Sequence, residues 1–349
     1  MSKRVLITGG AGFLGVHLAR HLLKKSYKVT LLDVTPLTAK DLAKKVDYIK
    51  ADIRQKSEKL ENAIQKADYI VHAAAALPII HKKSIIYDTN IKGTENVLKY
   101  ALSHHIKRLV FISSTAVYGV PKKVPELETD HLSPIGHYGV SKVEGEKLCQ
   151  RYIKLGLSIN ILRPKTFLGP ERLGVFSLWF EAIYNNTPVF ILGSGNNLYQ
   201  LLDVKDLCEY IERALISKKD GEIFNIGAKD FGTWKQDLGA VISFAKSHSK
   251  IIGFPVKPSQ IILSLLERLN LSPIVAWHYL TIPINSYVST KKAEKILKYT
   301  PQASNQKLLI ESYKWYKENR NKIINNKGLT HRTIWNFKAL SIINQIFNK

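Results

Sequence analysis

Cysteine is scarce in this chain, which has only Cys149 and Cys208 among its 349 residues. They stand far apart and outside the spacings of disulfide-rich or zinc-binding proteins, so we predict neither a disulfide framework nor a metal site. The sequence also contains no run of about 20 apolar residues, the length that a membrane-spanning helix needs. Its N-terminus has no signal peptide of the usual form. Together these absences predict a reducing, cytoplasmic setting.

Acidic residues are outnumbered, with 28 Asp and Glu against 52 Lys and Arg, for a formal charge of +24. Such a charge raises the question of a nucleic-acid partner. The lysines, however, occur as scattered pairs, and no segment interleaves aromatic residues with arginine as single-strand binders do. We therefore predict a solvated basic surface and no nucleic-acid partner, with attraction to anionic partners or membranes as the alternative.

The first half of the chain alternates short apolar runs with amphipathic stretches. This pattern is typical of βαβ units and predicts an α/β fold with a parallel sheet. Predicted strands cover residues 4–8, 27–33, 46–52, 67–72, 108–114, 157–163 and 222–227. Predicted helices cover residues 16–25, 89–104, 138–153, 176–185 and 204–216. Residues 230–320 are expected to form a second, helical and loop-rich unit that packs tightly on the first.

Three glycines follow the first predicted strand and open the first predicted helix. Gly9, Gly12 and Gly15 have the strand–loop–helix setting of a dinucleotide-binding fingerprint. Glycine permits a tight turn and a close approach of the backbone to a pyrophosphate, whose charge then lies at the helix N-terminus. A glycine-rich turn without a ligand is the alternative.

Asp33 ends the second predicted strand, about 20 residues after the loop, where a carboxylate can accept hydrogen bonds from both ribose hydroxyls of a bound adenosine. The same charge would repel a 2′-phosphate, and no Arg or Lys follows directly. We therefore predict NAD rather than NADP. An ordinary strand-end cap is the alternative for this residue.

Tyr138 and Lys142 lie four residues apart, about one helical turn, so both side chains emerge from one face of a helix. A cation near a phenol favours the phenolate, so Lys142 is expected to lower the pKa of Tyr138. A tyrosine tuned in this way can exchange a proton with an alcohol or ketone near neutral pH. Surface helices produce this spacing by chance, but its position downstream of the glycine loop indicates a catalytic pair.

These segments resemble the extended short-chain dehydrogenases/reductases of the NAD-dependent epimerase/dehydratase family, from residue 5 to about residue 228. The further motifs are Asp52-Ile-Arg54, His72-Ala-Ala-Ala75, Asn90-Ile-Lys-Gly-Thr94, Ser113-Ser-Thr-Ala-Val-Tyr-Gly119, Leu162-Arg-Pro164, Leu168-Gly-Pro170 and Asn225-Ile-Gly227. The resemblance implies a Rossmann-type doubly wound parallel sheet, a smaller and mainly helical C-terminal substrate domain, bound NAD and a homodimer.

The resemblance also implies residue roles. Ser114, at the end of the fifth predicted strand, matches the catalytic hydroxyl residue and completes a trio with Tyr138 and Lys142. Lys142 would also hold the nicotinamide ribose, and Asp52 and Ile53 would contact the adenine ring. The predicted cofactor-binding residues are Gly9, Gly12, Phe13, Leu14, Gly15, Asp33, Asp52, Ile53, Ala73, Ala74, Ala75, Asn90, Tyr138, Lys142 and Pro164.

The two residues that follow Ser114 limit the reactions that the site is expected to catalyse. Dehydratases of this family carry an acidic pair where this chain has Thr115 and Ala116, because elimination of water needs an additional acid and base. Decarboxylases usually have Glu at the position of Ala116. The sequence therefore disfavours both reactions and favours simple oxidation–reduction or epimerisation.

Two further departures concern the substrate. Nucleotide-sugar enzymes of the family usually have Asn where this chain has Thr166, and an Arg that pairs with the diphosphate where it has Tyr199. Tyrosine cannot replace a bidentate phosphate partner. Lys165 and Arg172 are candidates to supply the charge, although surface or structural roles are the expectation for both.

Three functional hypotheses follow. The first is an NAD-dependent epimerase or oxidoreductase acting on a secondary alcohol, a sugar hydroxyl of a nucleotide sugar. The second is oxidation of a bulkier apolar alcohol, similar to the 3β-hydroxysteroid dehydrogenases. It is favoured by the missing Arg and by the apolar segments 176–180 and 261–266, for which helix core is the alternative. The third, a non-catalytic NAD- or nucleic-acid-binding protein, is disfavoured by the intact trio.

The chain is expected to divide into an NAD-binding domain (1–169 plus 198–228), a substrate-binding domain (170–197 plus 229–320) and a basic amphipathic tail (321–349). From residue 330 the tail places Trp335, Phe337 and other apolar residues among basic and amide residues. Packing on the protein or on a partner is the expectation. Peripheral membrane contact through residues 330–349 is the alternative.

Overall fold

The structure is a computed structural model that describes residues 2–78, 80, 82–269 and 274–325. Its strands are β1 Arg4–Thr8, β2 Lys28–Asp33, β3 Asp47–Lys50, β4 Tyr69–His72, β5 Arg108–Ile112, β6 Ile159–Pro164, β7 Phe167–Leu168, β8 Val189–Leu192, β9 Leu202–Asp203, β10 Ile223–Ile226 and β11 Ile251–Phe254. Its helices are α1 Phe13–Lys24, α2 Glu58–Gln65, α3 Lys83–Tyr87, α4 Thr94–Ser103, α5 Gly136–Lys154, α6 Phe176–Tyr184, α7 Val204–Ile216, α8 Trp234–Ala245, α9 Val256–Arg268, α10 Ala276–Thr281, α11 Lys291–Leu297 and α12 Asn305–Asn325.

Seven parallel strands form the central sheet in the order β10-β6-β5-β4-β1-β2-β3. The chain runs from β1 outward to β3 and then returns to β4 on the other side of β1, where Thr8 pairs with His72. The carboxyl ends of β1 and β4 therefore form the switch point at which open α/β sheets bind ligands. The predicted doubly wound Rossmann-type fold is confirmed.

Successive side chains of each strand enter different cores because strand residues alternate between the two faces of a sheet. Val5 and Ile7 pack with α1 and α7, whereas Leu6 packs with α2, α4 and α5. Cys208 lies in the first of these cores and Cys149 in the second, so the sheet separates the two thiols. A third core surrounds α6, α8 and α12.

The predicted helix 89–104 differs from the structure. It begins earlier, as α3, and passes through a π-helical turn, Asp88–Gly93, into α4. The wider turn places Asn90 in the interior, where its side chain accepts from Ala76 N at 2.7 Å and donates to Ser141 Oγ at 2.9 Å. Turns of this kind often occur beside functional sites.

The predicted strand 108–114 is also too long, since β5 ends at Ile112. Ser114 leaves the sheet and caps a 3₁₀ turn, Thr115–Val117, with its Oγ accepting from Ala116 N at 3.1 Å. Serine favours such a cap because its hydroxyl can accept a hydrogen bond from a nearby backbone N–H, which gives the backbone an alternative to the hydrogen bonds of a strand.

Residues 230–320 contain the helices α8 to α12 joined by loops, and one strand that the local pattern did not predict. β11 pairs in parallel with β8, a contact between residues far apart in the sequence. None of the helices in the described ranges is long and apolar enough to cross a membrane. Residues 330–349 lie outside the described residues, and the division into domains stays a prediction.

Candidate active site

A cavity of about 610 Å³ lies at the carboxyl ends of β1, β4 and β5. The glycine loop forms one end of its wall, and Trp277 and His278 of α10 contribute to the opposite side. The predicted site residues that line it are Gly9, Gly12, Phe13, Leu14, Asp33, Asp52, Ile53, Ala73, Ala74, Ala75, Ser114, Tyr138, Lys142 and Pro164. The fold thus brings residues from many separate segments to one cavity.

Two predicted cofactor residues lie behind this wall. A Cβ on Gly15 would lie 2.5 Å from the carbonyl oxygen of Gly9, so glycine at this position allows α1 to pack against the loop. Asn90 is buried and ties the π turn to Ser141 of α5. In the structure both residues shape the cavity wall from outside.

The glycine loop has the shape that a pyrophosphate requires. Gly9 has a φ of +71°, and a Cβ on it would lie 2.7 Å from the backbone nitrogen of Ala74. Gly12 is the N-cap of α1 and has no side chain that could accept the N–H groups of the first turn. The first turn also carries no acidic residue. This helix end suits an anion.

Two carboxylates continue the cavity wall beyond the loop. Asp33 accepts from Ala11 N through Oδ2 at 3.0 Å and from both Thr35 N and Thr35 Oγ1 through Oδ1 at 2.9 Å, which leaves Oδ2 a further lone pair. Asp52 pairs with Arg54, whose Nη2 lies 2.6 Å from Oδ2, and this pairing lowers the pKa of Asp52. The donors and acceptors present fit a dinucleotide.

Ser114, Tyr138 and Lys142 meet where β5 ends. Ser114 and Tyr138 both line the cavity, and Ser114 lowers the pKa of the Tyr138 phenol. Lys142 donates from Nζ to the carbonyl oxygen of Ile112 at 2.8 Å, and this Nζ lies 5.8 Å from the centre of the Tyr138 ring. The structure therefore brings the three predicted catalytic side chains together at the cavity.

The predicted effect on the Tyr138 pKa is wrong in sign. Burial raises the pKa of Tyr138 above its ordinary value, and it outweighs the lowering by Ser114 and by the charge of Arg172. Burial also lowers the pKa of Lys142 to about 8, and its ammonium is engaged by a backbone carbonyl. In the protein alone Tyr138 is thus a neutral phenol at pH 7, the form that donates a proton.

A buried ion pair lies beside Lys142. Arg163 donates from Nε to Glu146 Oε1 at 2.9 Å and from Nη2 to Oε2 at 2.6 Å, and Ser113 Oγ donates to Oε1 at 2.6 Å. Glu146 follows Lys142 by one helical turn, and its charge raises the pKa of Lys142 against the effect of burial. Glu146 was not predicted from the sequence, although its four-residue spacing from Lys142 was a signal for it.

Of the two substrate-side departures, Thr166 lines the cavity, whereas Tyr199 is buried in the core around Trp234. The Tyr199 ring stacks on Trp234 with 4.6 Å between ring centres. Above the Tyr199 ring, at 5.0 Å, lies the Nζ of Lys165, which donates to Ser286 Oγ at 2.7 Å. At the position where relatives usually have Arg, this chain therefore has a tyrosine in an aromatic core, with the Lys165 ammonium above its ring.

Two cations, Lys165 and Arg172, are part of the cavity wall. Lys165 lines the cavity at only 1% exposure, which excludes a surface role. Burial lowers its pKa and raises that of its neighbour Glu126. Arg172 also lines the cavity, with its guanidinium 5.6 Å from the ring centre of Phe13 and 5.4 Å from that of Phe167.

The α9–α10 hairpin completes the cavity with residues that the sequence analysis did not predict. Glu267, Trp277 and His278 line the cavity. Burial lowers the pKa of His278 to about 4, and its Nδ1 accepts from Val275 N at 3.3 Å, so the imidazole is neutral. The sequence lacks a local signal for this wall, because its position depends on how the hairpin folds over the sheet.

The sequence model of the NAD dependent epimerase/dehydratase family matches residues 5–227. The chain belongs to this family. It is 32% identical over 331 residues to the uncharacterized protein y4nG of Sinorhizobium fredii, covering 95% of this chain and 83% of that protein. It is 32% identical over 234 residues to a putative UDP-glucose 4-epimerase of Methanocaldococcus jannaschii, covering 64% of this chain and 76% of that protein.

The chain shares its fold with a solved structure that contains NAD. The UDP-glucuronic acid 4-epimerase from Bacillus cereus in complex with NAD has a TM-score of 0.75 and 24% identity, covering 90% of this chain and 99% of that one. The predicted family, the NAD cofactor and the enzymatic nature of the protein are confirmed. When bound, NAD supplies a carbon that accepts and returns a hydride.

Proposed function

We propose that this family member moves a hydride between NAD and a secondary alcohol of a nucleotide sugar, as an epimerase or a net oxidoreductase. The observation that carries the proposal is that Ser114, Tyr138 and Lys142 line one cavity, whose wall also includes Lys165 and Arg172. An alcohol oxygen placed against Ser114 and Tyr138 would exchange its proton with Tyr138. The two cations suit a phosphorylated substrate. UDP-sugar enzymes among the relatives named above support the same substrate class.

The proposed division of labour assigns each residue one task. Ser114 orients the substrate oxygen, Tyr138 holds or takes the proton, and Lys142 holds the nicotinamide ribose. Thr115 and Ala116 have no acidic or basic side chain, and this favours reactions that move one proton and one hydride. At the other end, Asp33 would accept the adenosine ribose hydroxyls and Asp52 and Ile53 would border the adenine. The glycine loop residues Gly9 and Gly12, with Phe13 and Leu14, would surround the pyrophosphate, and Ala73, Ala74, Ala75 and Pro164 would line the cleft.

Tyr138→Phe tests the proposal directly. Removal of a general acid–base group is expected to lower turnover by about 10²–10⁴-fold while NAD affinity stays nearly unchanged. The matched control is Tyr152→Phe, a buried tyrosine on the same helix α5. Turnover of nucleotide sugars is followed by product analysis and by absorbance, since an epimerase returns its hydride and accumulates no NADH. Unchanged turnover in Tyr138→Phe would remove this residue from the mechanism.

A second candidate is oxidation of a bulkier apolar alcohol, and the aromatic packing of Tyr199 where an Arg is usual favours it. The two apolar segments predicted to support it do not. Phe176 and Phe180 belong to the core around Trp234, and Ile261 is 71% exposed. A screen of nucleotide sugars against sterol-like alcohols separates the two candidates, with mass spectrometry of any ligand retained through gentle purification.

We also propose a cytoplasmic homodimer with the domain division stated above. Both cysteines are unpaired and buried, which supports a reducing setting. The resemblance implies a dimer contact that includes the helix bearing Tyr138, α5, and Arg151 of α5 pairs with Glu95 of α4 at 2.6 Å. The separate core around α6, α8 and α12 supports the substrate-binding domain. Light scattering tests the dimer.

A further inference from the structure

Helix α9 presents its apolar side chains to solvent. None of its 13 described residues is buried. The exposed fractions are 71% for Ile261, 59% for Ile262, 59% for Leu265 and 60% for Leu269, which follows the helix as its C-cap. At 3.6 residues per turn these four positions fall on one arc of the helix. We call these four residues the outward face of α9.

The other side of α9 contacts the protein through polar residues and through the half-buried Leu263 and Leu266. Gln260 donates from Nε2 to the carbonyl oxygen of Tyr279 at 3.0 Å. Glu267 accepts from Ala276 N at 3.1 Å and from the Tyr279 hydroxyl at 2.8 Å. A surface helix of a globular protein normally keeps its apolar residues on the inward side, whereas α9 exposes four more of them to solvent. The outward face of α9 is therefore built for contact with an apolar partner.

The charges beside this face indicate which partner. Lys257 and Arg268 are exposed and flank the apolar arc, and the exposed residues of α9 in the described part include no carboxylate. The whole chain carries a formal charge of +24. Apolar side chains flanked by basic ones are the features by which a helix lies on an anionic bilayer. A second copy of the chain would instead bring the same two cations against each other across a two-fold contact.

We propose that the outward face of α9 docks the protein on an anionic membrane surface. The strand that leads into α9 extends the apolar character, since Phe254 is 45% exposed. Glu267 of α9 and Trp277 of α10 line the active-site cavity, so docking places this cavity wall beside the lipid headgroups. The proposal does not rest on the substrate proposed above.

A fluorescent label on the full-length chain tests the contact. Cys149 and Cys208 are buried, so a cysteine introduced by Ile261→Cys can be labelled selectively with a polarity-sensitive fluorophore. We expect a blue shift with vesicles of equimolar phosphatidylglycerol and phosphatidylcholine, and none with phosphatidylcholine alone. The matched control is Leu155→Cys, whose native side chain is 58% exposed at the end of α5 and which should show no shift with either vesicle.

Vesicle sedimentation of unlabelled variants gives an independent measurement. Ile261→Ser/Leu265→Ser is expected to lower the partition coefficient on the anionic vesicles at least about tenfold. Lys257→Gln/Arg268→Gln should weaken binding and reduce its salt dependence, whereas Leu155→Ser should bind like the wild type. Retained NAD affinity shows that each variant is folded.

Three results would overturn the proposal. The first is absence of wild-type binding to the anionic vesicles. The second is equal binding of the wild type and Ile261→Ser/Leu265→Ser, which would assign membrane contact to another segment such as residues 330–349. The third is a label shift that appears without lipid and grows with protein concentration, which would assign the outward face of α9 to a second copy.

Discussion

Glu146→Gln would show how much the buried ion pair beside Lys142 contributes to the protein. The side chains of Arg163 and Glu146 are 3% and 5% exposed, and their closest contact is 2.6 Å. Glutamine keeps the shape but removes the charge, which leaves the guanidinium of Arg163 buried without a counter-ion. Breaking such a pair is expected to lower the free energy of unfolding by about 3–5 kcal/mol.

Thermal unfolding followed by circular dichroism measures this loss. With an unfolding entropy of roughly 2.1 cal/mol/K per residue, the expected decrease in Tm is about 4–7 °C. The matched control is Glu95→Gln, because Glu95 pairs with Arg151 at the same distance of 2.6 Å but with side chains 45% and 58% exposed. Water and salt screen that pair, so the control should keep the wild-type Tm. Equal decreases in both variants would refute the argument from burial.

The same substitution has a second, chemical readout. The charge of Glu146 raises the pKa of Lys142, which burial otherwise lowers to about 8. Without that charge the pKa falls further, so Lys142 loses its proton at a lower pH. The alkaline decrease in turnover that follows deprotonation of Lys142 should therefore begin at lower pH in Glu146→Gln. An unmoved alkaline limb would show that Glu146 does not act on Lys142.

Three other substitutions have defined outcomes. Gly9→Ala, with a Cβ 2.7 Å from a backbone nitrogen, should weaken NAD binding at least about tenfold in a fluorescence titration. Gly239→Ala in α8, where a Cβ meets nothing within 4 Å, should instead raise the unfolding free energy by about 0.5–1 kcal/mol. Lys165→Met should raise KM for the nucleotide sugar and leave NAD affinity unchanged, and an unchanged KM would exclude it from the substrate site. In Arg172→Leu the pKa of Tyr138 rises further, so the increase of kcat with pH in the oxidative direction should move to higher pH.

The strands and the glycine loop were predictable because their signals are local. Apolar runs, turn residues and the spacing of Gly9, Gly12 and Gly15 reflect backbone requirements that act within a few residues. Errors occurred where a distant contact overrides the local pattern. Asn90 enters a π turn because Ala76 and Ser141 hold its side chain, and β11 forms because β8 is beside it.

Burial was the property that the sequence predicted least well. Segment 261–266 has the composition of a buried helix. Ile261, Ile262 and Leu265 nevertheless face solvent, because the opposite side of α9 is the one that bonds to α10. Lysine is usually a surface residue, yet Lys165 is buried above the ring of Tyr199. Neither position has a nearby residue that signals its surroundings.

The sequence by itself determined the doubly wound fold and the NAD cofactor, because motif spacing and strand periodicity encode them locally, and it predicted Ser114, Tyr138 and Lys142 as the catalytic residues. Only the tertiary structure decided how these residues behave. It showed that Tyr138 has a raised pKa, since burial of a phenol depends on everything packed around it and outweighs one nearby cation. It also placed Lys165, Arg172 and the α9–α10 hairpin around the same cavity. Proximity in space between distant segments is the information that a local pattern does not carry.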